Sequence, residues 1–449
     1  VNGESVLTLE IDQHETDSRE LKLIVRVDQA RVEEAMRQTA RKFARSVRIP
    51  GFRPGKAPFR VVRNWVGAEA LRAEAVDSIA ADIYQEAIQQ VDVAPFAPGS
   101  LDDIELDPLV LHITVPLRPK VDLDDYRSVR VTPIPVEVSD EAVNEAMRAI
   151  QEKHALLEPA NRPAQEGDVV IADLQAEEEG EVVLSRQGAE LVLDPAKLYP
   201  DTPFVENIVG MSAGEEKTFS LVLEDEDTDK SHELTYTVTV HEIKSRFVPP
   251  LNDELAQEEG DFQSLLDLRI YVRRQLTEVA QREADADYVE QVFGQIRDRA
   301  TVVYPAAALE QEIDRMVSEM EERFSRQQWS LDDYLKLQSK TMEDLREELR
   351  PEAESYLVRS QITFALVKAE RLAVGDEELE SKVQERLGRM EDLQEETAQQ
   401  LRELYTTGQG RILMTNDVLM DKFAERLKAI GRGEAPDLSE LTESSDEEE

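Results

Sequence analysis

The stretch Arg48–Pro58, Arg-Ile-Pro-Gly-Phe-Arg-Pro-Gly-Lys-Ala-Pro, is so dense in proline and glycine that neither a helix interior nor a central strand can run through it. Helix-like sequence flanks it on both sides. Val32, Ala35, Met36, Thr39 and Phe43 recur at three- and four-residue intervals before it, and Phe59–Val66 follows. The spacing predicts a stiff loop between two helices, with Phe52, Arg53 and Lys56 near its tip. A large apolar side chain on a polar loop tip is usually there to touch something.

The charge around this loop is a local exception. Between Ala35 and Ala68 every charged residue is basic (Arg37, Arg41, Lys42, Arg45, Arg48, Arg53, Lys56, Arg60 and Arg63), in a chain of formal charge −44. Repulsion of nucleic acid by the bulk acidity is largely screened beyond ~8 Å, so the patch can still make short-range, salt-dependent contacts with phosphate or protein. A solvated helix face beside a structural turn is the plainer reading, and these residues alone leave both open. Nucleotide binding is excluded. A phosphate-binding loop needs four residues between its glycines and Ser or Thr after the lysine, whereas Gly51 and Gly55 enclose three and Ala57 follows Lys56.

Gly51-Phe52-Arg53-Pro54-Gly55-Lys56-Ala57-Pro58 resembles the signature loop of the trigger factor family, bacterial chaperones that dock beside the ribosomal exit tunnel. The preceding helix and the distance from residue 1 strengthen the resemblance. It implies a ribosome-binding site at Gly51, Phe52, Arg53, Pro54, Gly55 and Lys56, with Phe52 and Arg53 on the family's docking positions. The next position, usually basic in the family, is Pro54.

Length and composition bound the remainder. A chain of 449 residues accommodates roughly two to four domains. It contains no cysteine, hence no disulfide, thiol nucleophile or cysteine metal site, which suits a reducing cytosol. The opening Val-Asn-Gly-Glu-Ser lacks the pattern of a signal peptide, and no apolar run approaches the ~18 residues of a membrane span. His14, His112, His154, His232 and His241 are scattered without metal-ligand spacing, so we expect no metal and no cofactor.

Taken in order, residues 5–11 and 21–27 alternate like strands, Gln29–Ser46 and 59 to about 93 read as helical, and 101–117 returns to alternation. This is an α+β domain over 1–117, resembling the trigger factor ribosome-binding domain. Residues 118–136, punctuated by Pro119, Pro133 and Pro135, read as an extended linker. Ser139 starts a helix reaching about Leu157. Strands then follow at 169–174, 182–184, 191–193, 218–223 and 234–243, with a short helix near 205–210.

Residues 137–245 resemble an FKBP-type prolyl isomerase domain, an antiparallel β fold with one short helix, most closely over Phe204–Glu216. The resemblance implies a cup of aromatic residues around a substrate proline. Here Leu174, Val183 and Leu191 stand where the family has aromatics, and the flap 224–233 is short and acidic. Phe204 and Tyr236 are the retained candidates for catalysis, and core packing is the plainer role for both.

From 246 to 432 the chain reads as all-helical, with segments at about 253–301, 305–327, 330–338, 341–372, 375–390, 393–405 and 409–430. Pro305 and Pro351 read as helix starts, and Gly375 and Gly408–Gly410 as turns. The stripes Met316–Met320–Phe324 and Leu379–Val383–Leu387–Met390 fit helix packing. They also fit an adaptable client-binding cradle, for which methionine is suited. Residues 433–449 read as an acidic, disordered tail.

The expected fold is therefore multidomain α+β, ending in a large all-α domain of trigger factor length and helix order. The resemblance implies an ATP-independent cytoplasmic chaperone that docks on the large ribosomal subunit, on protein and rRNA, and shields apolar segments of nascent chains. It further implies roles in folding, export and cell division, contact with no membrane, and leaves a homodimer of the free protein open. An enzyme acting mainly as a peptidyl-prolyl isomerase of nascent chains is the alternative, with weak activity expected from the missing aromatics. A helical scaffold with a basic arm would need sustained heptads, which the interrupted helices lack.

Overall fold

The structure, a computed structural model, describes residues 9–178, 180–200, 202–225, 230–390 and 394–438, with the side chains of 223–232 outside the description. Two compact units emerge: residues 1–133 with 288–449, and residues 134–287.

The first unit begins with β1 (Glu10–Glu15), β2 (Glu20–Arg26), α1 (Gln29–Ser46), α2 (Phe59–Val66), α3 (Ala68–Val91), β3 (Ser100–Leu106) and β4 (Leu109–Pro116). The strands form one antiparallel sheet in the order β1-β2-β4-β3. Asp28 caps α1 by accepting from the Ala30 N–H at 2.8 Å. Val32, Ala35, Met36, Ala40 and Ala44 line the face of α1 that is buried with Leu71 and Ile83 of α3 and Leu23, Val25, Leu111 and Ile113 of the sheet. The first strand runs from Glu10, later than the expected 5–11, most of which lies outside the described residues.

Residues 118–136 are not a free extended linker. Lys120–Asp122 forms β5, Tyr126–Ser128 makes a single 3-10 turn, and Val129 is fully buried. Val129–Val131 does not pair as a strand. Its backbone is tied down by the Val131 N–H donating to Gly431 and by the Tyr288 hydroxyl donating to the Val131 carbonyl.

The second unit opens with α4 (Asp140–Lys153), capped by Ser139 as expected but ending before Leu157, because Leu156–Pro159 becomes β6. β7 (Val169–Glu178), β8 (Glu181–Val192), α5 (Phe204–Ile208), β9 (Glu216–Asp225) and β10 (Lys230–Phe247) follow. The five-stranded sheet runs β6-β10-β7-β8, with β9 also on β10. The separate strands expected at 182–184 and 191–193 are one, since bulges in the β7–β8 ladder absorb the irregular pattern between them. Likewise β9 and β10 extend into the supposed flap and pair as far as Asp225 and Lys230; its residues 226–229 lie outside the described residues. Phe204 and Ile208 of α5 pack into the core with Leu174, Leu193 and Val238. A second cluster joins Val143 and Met147 of α4 to Ala256 of α6 (Asp253–Glu259) and to Leu268 and Val272 of α7 (Leu265–Arg299). Gly260 thus interrupts the single helix expected over 253–301, and residues 246–287 belong with this unit.

From Tyr288 onward α7 belongs to the first unit, followed by β11 (Thr301–Val303), α8 (Ala306–Arg326), α9 (Leu331–Leu337), α10 (Met342–Ala369), α11 (Asp376–Gly388), α12 (Glu395–Thr406) and α13 (Gly408–Arg432). β11 pairs antiparallel with β5, Val302 opposite Val121. Val129 packs there with Tyr288, Val292, Phe293, Ile362 and Leu427. Pro305 precedes α8 as expected, but Pro351 lies inside α10, where flanking Leu349, Ala353 and Leu357 are buried and hold the helix together across it. Gly408 and Gly410 begin α13 instead of forming a separate turn; a Cβ on Gly410 would stand 1.9 Å from the Leu404 carbonyl oxygen. Of the expected tail, 433–438 is described and the rest lies outside the described residues.

Candidate functional site

The proline-glycine loop is anchored at both ends and open between them. Ile49 is buried, Ala57 and Phe59 pack partly against the core, and Pro50 through Lys56 are all exposed. Two turns shape the tip: the Phe52 N–H donates to Ile49 at 3.2 Å, and the Lys56 N–H donates to Arg53 at 2.9 Å. The Gly55 N–H reaches back to the Ala44 carbonyl at 2.5 Å, folding the second half of the loop onto the last turn of α1. Gly51 and Gly55 have φ of 85° and 77°, a backbone region open chiefly to glycine. These restraints leave Phe52 40% exposed on a braced loop.

Most of the basic residues around it form no ion pair. Arg37 pairs with Glu33 at 3.3 Å. Arg41, Lys42, Arg45, Arg48, Arg53, Lys56, Arg60 and Arg63 form no ion pair with any described carboxylate, although Asp and Glu number 96 in this chain. Sequence reading overlooked Trp65, half-exposed at the end of α2. An apolar residue one turn beyond buried Val62 reads as core until the packing is seen.

In the second unit Phe204 and Tyr236 come together, their ring centroids 5.2 Å apart and edge-on. Both are under 2% exposed. Two aromatics missed in the sequence complete the group. Tyr199 lies 4.5 Å from Phe204 and 5.5 Å from Tyr236, and Phe219 lies 5.5 Å from Phe204 and 6.0 Å from Tyr236. Burial and the Tyr199 hydroxyl push the Tyr236 hydroxyl well above the ordinary phenol range, so it stays neutral. Phe219 sits in the apolar alternation of β9, a signal available in the sequence. Tyr199 sits in a loop and carried none. Leu174 and Leu191 are buried beside this group, but Val183 is half-exposed on β8 and lines no cup.

The two helical stripes diverge from a cradle. Met316, Met320 and Phe324 pack partly against Leu331, Leu335, Leu345 and Leu349. Leu379 and Val383 are buried with Met414, Leu387 packs beside them, and only Met390 is exposed. Periodicity cannot separate a stripe turned inward from one turned to solvent. The open apolar surface is elsewhere: Tyr356, Phe364 and Met420 are exposed and, with Val367 and Leu419, line a cavity of about 330 Å³. Among the described residues no cluster of acidic residues and histidine could hold a metal ion, and no helix is long and apolar enough to cross a membrane.

Comparison with known proteins follows the same layout. The family model described as bacterial trigger factor protein matches residues 9–150, and that of the trigger factor C-terminus matches 264–429. The trigger factor of Thermomicrobium roseum is 33% identical over 425 residues, covering 92% of this chain and 85% of its own. That of Roseiflexus sp. is 30% identical over 446 residues, 95% of this chain and 81% of its own. A solved structure of the trigger factor chaperone, reported for promiscuous substrate recognition in folding and assembly, superposes with a TM-score of 0.54. It shares 24% identity and covers 94% of this chain and 100% of its own, a likeness of fold. The chain belongs to the bacterial trigger factor family.

Proposed function

We propose that this chain docks on the ribosome through the Phe52–Arg53 loop and holds apolar segments of nascent chains on its helical body. Family membership supports the general activity, a ribosome-associated protein-folding chaperone. The observation that carries the docking assignment is the braced, exposed Phe52 amid basic residues that, Arg37 apart, have no carboxylate partner among the described residues. Rim charges speed encounter and make binding salt-sensitive, while the aromatic tip fills a pocket on the partner. Exposed Tyr356, Phe364 and Met420 are better placed than the buried stripe residues to hold a client, with Met390 as an outlying contact. Each small contact replaces water exposure at roughly 25 cal/mol per Å². A folding client buries the same surface, so release needs no nucleotide.

On this reading the docking domain ends near residue 117, and the isomerase-like insert is secondary. Phe204 and Tyr236 fill their own cup by packing against one another, which leaves little ring surface for a substrate proline. Protein and rRNA as joint docking partners, a cytoplasmic site of action and dimerisation of the free protein are further parts of this reading. The deciding experiment is ribosome co-sedimentation of Phe52→Ala with Arg53→Ala across a salt series. Association should be nearly lost while circular dichroism is unchanged, and wild-type binding should weaken as salt rises. Unchanged co-sedimentation would refute the docking assignment.

A further inference from the structure

The inserted sheet carries a cavity of about 760 Å³, floored by Leu174, Leu184, Leu191 and Leu198 and closed at one end by Tyr199. The Tyr199 backbone has φ of 51°, a left-handed conformation rare for a bulky residue. Such strain persists only where the surroundings impose it, and the contacts to Phe204 and Tyr236 hold the ring in place. The wall is therefore fixed.

Three charged side chains stand on the rim. Lys197 donates to Glu152 at 2.5 Å, and Glu190 lies 3.9 Å from Lys244. Arg186 has no carboxylate partner among the described residues, in a chain with 96 acidic residues against 52 basic ones. It stands directly opposite Leu174 in the β7–β8 ladder, so its base shares a face with the apolar floor. A guanidinium beside an apolar cavity matches a carboxylate next to an apolar side chain.

We propose that Arg186 makes this cavity selective for unfolded peptide segments in which an acidic residue adjoins an apolar one. The proposal rests on the reading that the chain binds unfolded clients, and it assigns one class of client segment to the insert. A free inorganic anion would find one uncompensated cation over leucines, a poor site; the occupant must supply apolar surface as well.

The absence of cysteine allows a clean test on the full chain. Gln187, an exposed residue of the cavity lip, is changed to Cys and coupled to an environment-sensitive dye. It is titrated with two short peptides of one Leu-Pro-Phe core, flanked by Glu or by Lys. The Glu peptide should bind about threefold tighter at low salt, as expected for one solvent-exposed ion pair. That preference should vanish near 1 M salt, where the screening length is about 3 Å. Arg186→Ala should equalise the two peptides and Arg186→Glu should favour the Lys peptide; both change an exposed side chain and spare the core. Equal binding by the wild type, or a preference surviving Arg186→Ala, overturns the proposal. If neither peptide moves the dye while the same protein still suppresses client aggregation, the cavity assignment fails and the chaperone reading stands.

Discussion

Glu370 lies buried at the end of α10, its side chain 1% exposed, where segment 118–136 crosses the helical body. It accepts from Arg127 at 2.8 and 2.5 Å, from the Tyr126 hydroxyl at 2.7 Å and from Arg426 at 2.6 Å. Burial alone would raise this carboxyl's pKa, but those donors outweigh it and hold it below the ordinary 4.5. The Tyr126 hydroxyl is pushed up to about 12 by burial and by Glu370. Glu370→Ala should destabilise the body by about 3–5 kcal/mol, because two arginines lose their buried counter-charge. Denaturant unfolding of the full chain would measure it, and a loss under about 1 kcal/mol would contradict this assignment. Since the folded pKa is depressed, the contribution is complete above about pH 4.5 and is lost as pH falls through the depressed value. A wild-type acid limb that flattens in Glu370→Gln would show it. At this scale sequence reading found Phe52, since a proline-glycine loop declares itself, and missed Glu370, whose partners are distant in sequence. Tyr199 escaped because it sits in a loop, where no periodicity marks an inward-facing ring.

Elements marked by a cap or breaker were legible: α1 begins after Asp28 and ends at Ser46 as its spacing predicts. Tertiary contacts overrode local preference elsewhere. Leu156 left the helical pattern of α4 to pair with Phe247, and Pro351 was carried inside α10 by burial on either side. Proline there lacks the N–H that would reach the Glu347 carbonyl, a cost of ~3 kcal/mol in an unbroken helix. Pro351→Ala should therefore raise the melting temperature of the helical body, with a gain of about 1–3 kcal/mol. A fall on calorimetric unfolding would mean that the surrounding packing requires the proline. In the proline-glycine loop the sign reverses. Gly55→Ala would force a side chain into a left-handed backbone, with Arg45 Cγ 3.4 Å from the new Cβ, costing about 1–2 kcal/mol locally. Ribosome affinity should fall while global unfolding stays near wild type.

For the molecule as a whole, the order of modules could be read from the sequence, but their edges could not. A boundary at residue 137 cuts α4 from its apolar partners Ala256, Leu268 and Val272, contacts no linear pattern discloses. Deleting 137–245 should consequently expose that cluster and promote aggregation. Deleting 156–247 starts and ends at the paired residues Leu156 and Phe247, so the flanking chain already lies together. That shorter form should keep its helicity and most of its suppression of client aggregation; full loss with helices intact would assign holding to the insert. The pairing of β5 with β11 also sets a timetable. Val121 is synthesised soon after the first sheet and its helices but cannot find Val302 until a long further stretch has left the ribosome, roughly tens of seconds at 5–20 residues per second. Residues 9–116 contain all the strands and helices of their own sheet and core, so they can mature during that wait. The first sheet and its helices are thus complete before the helical body can close, and Val129 spends the interval as one more apolar segment in need of shelter.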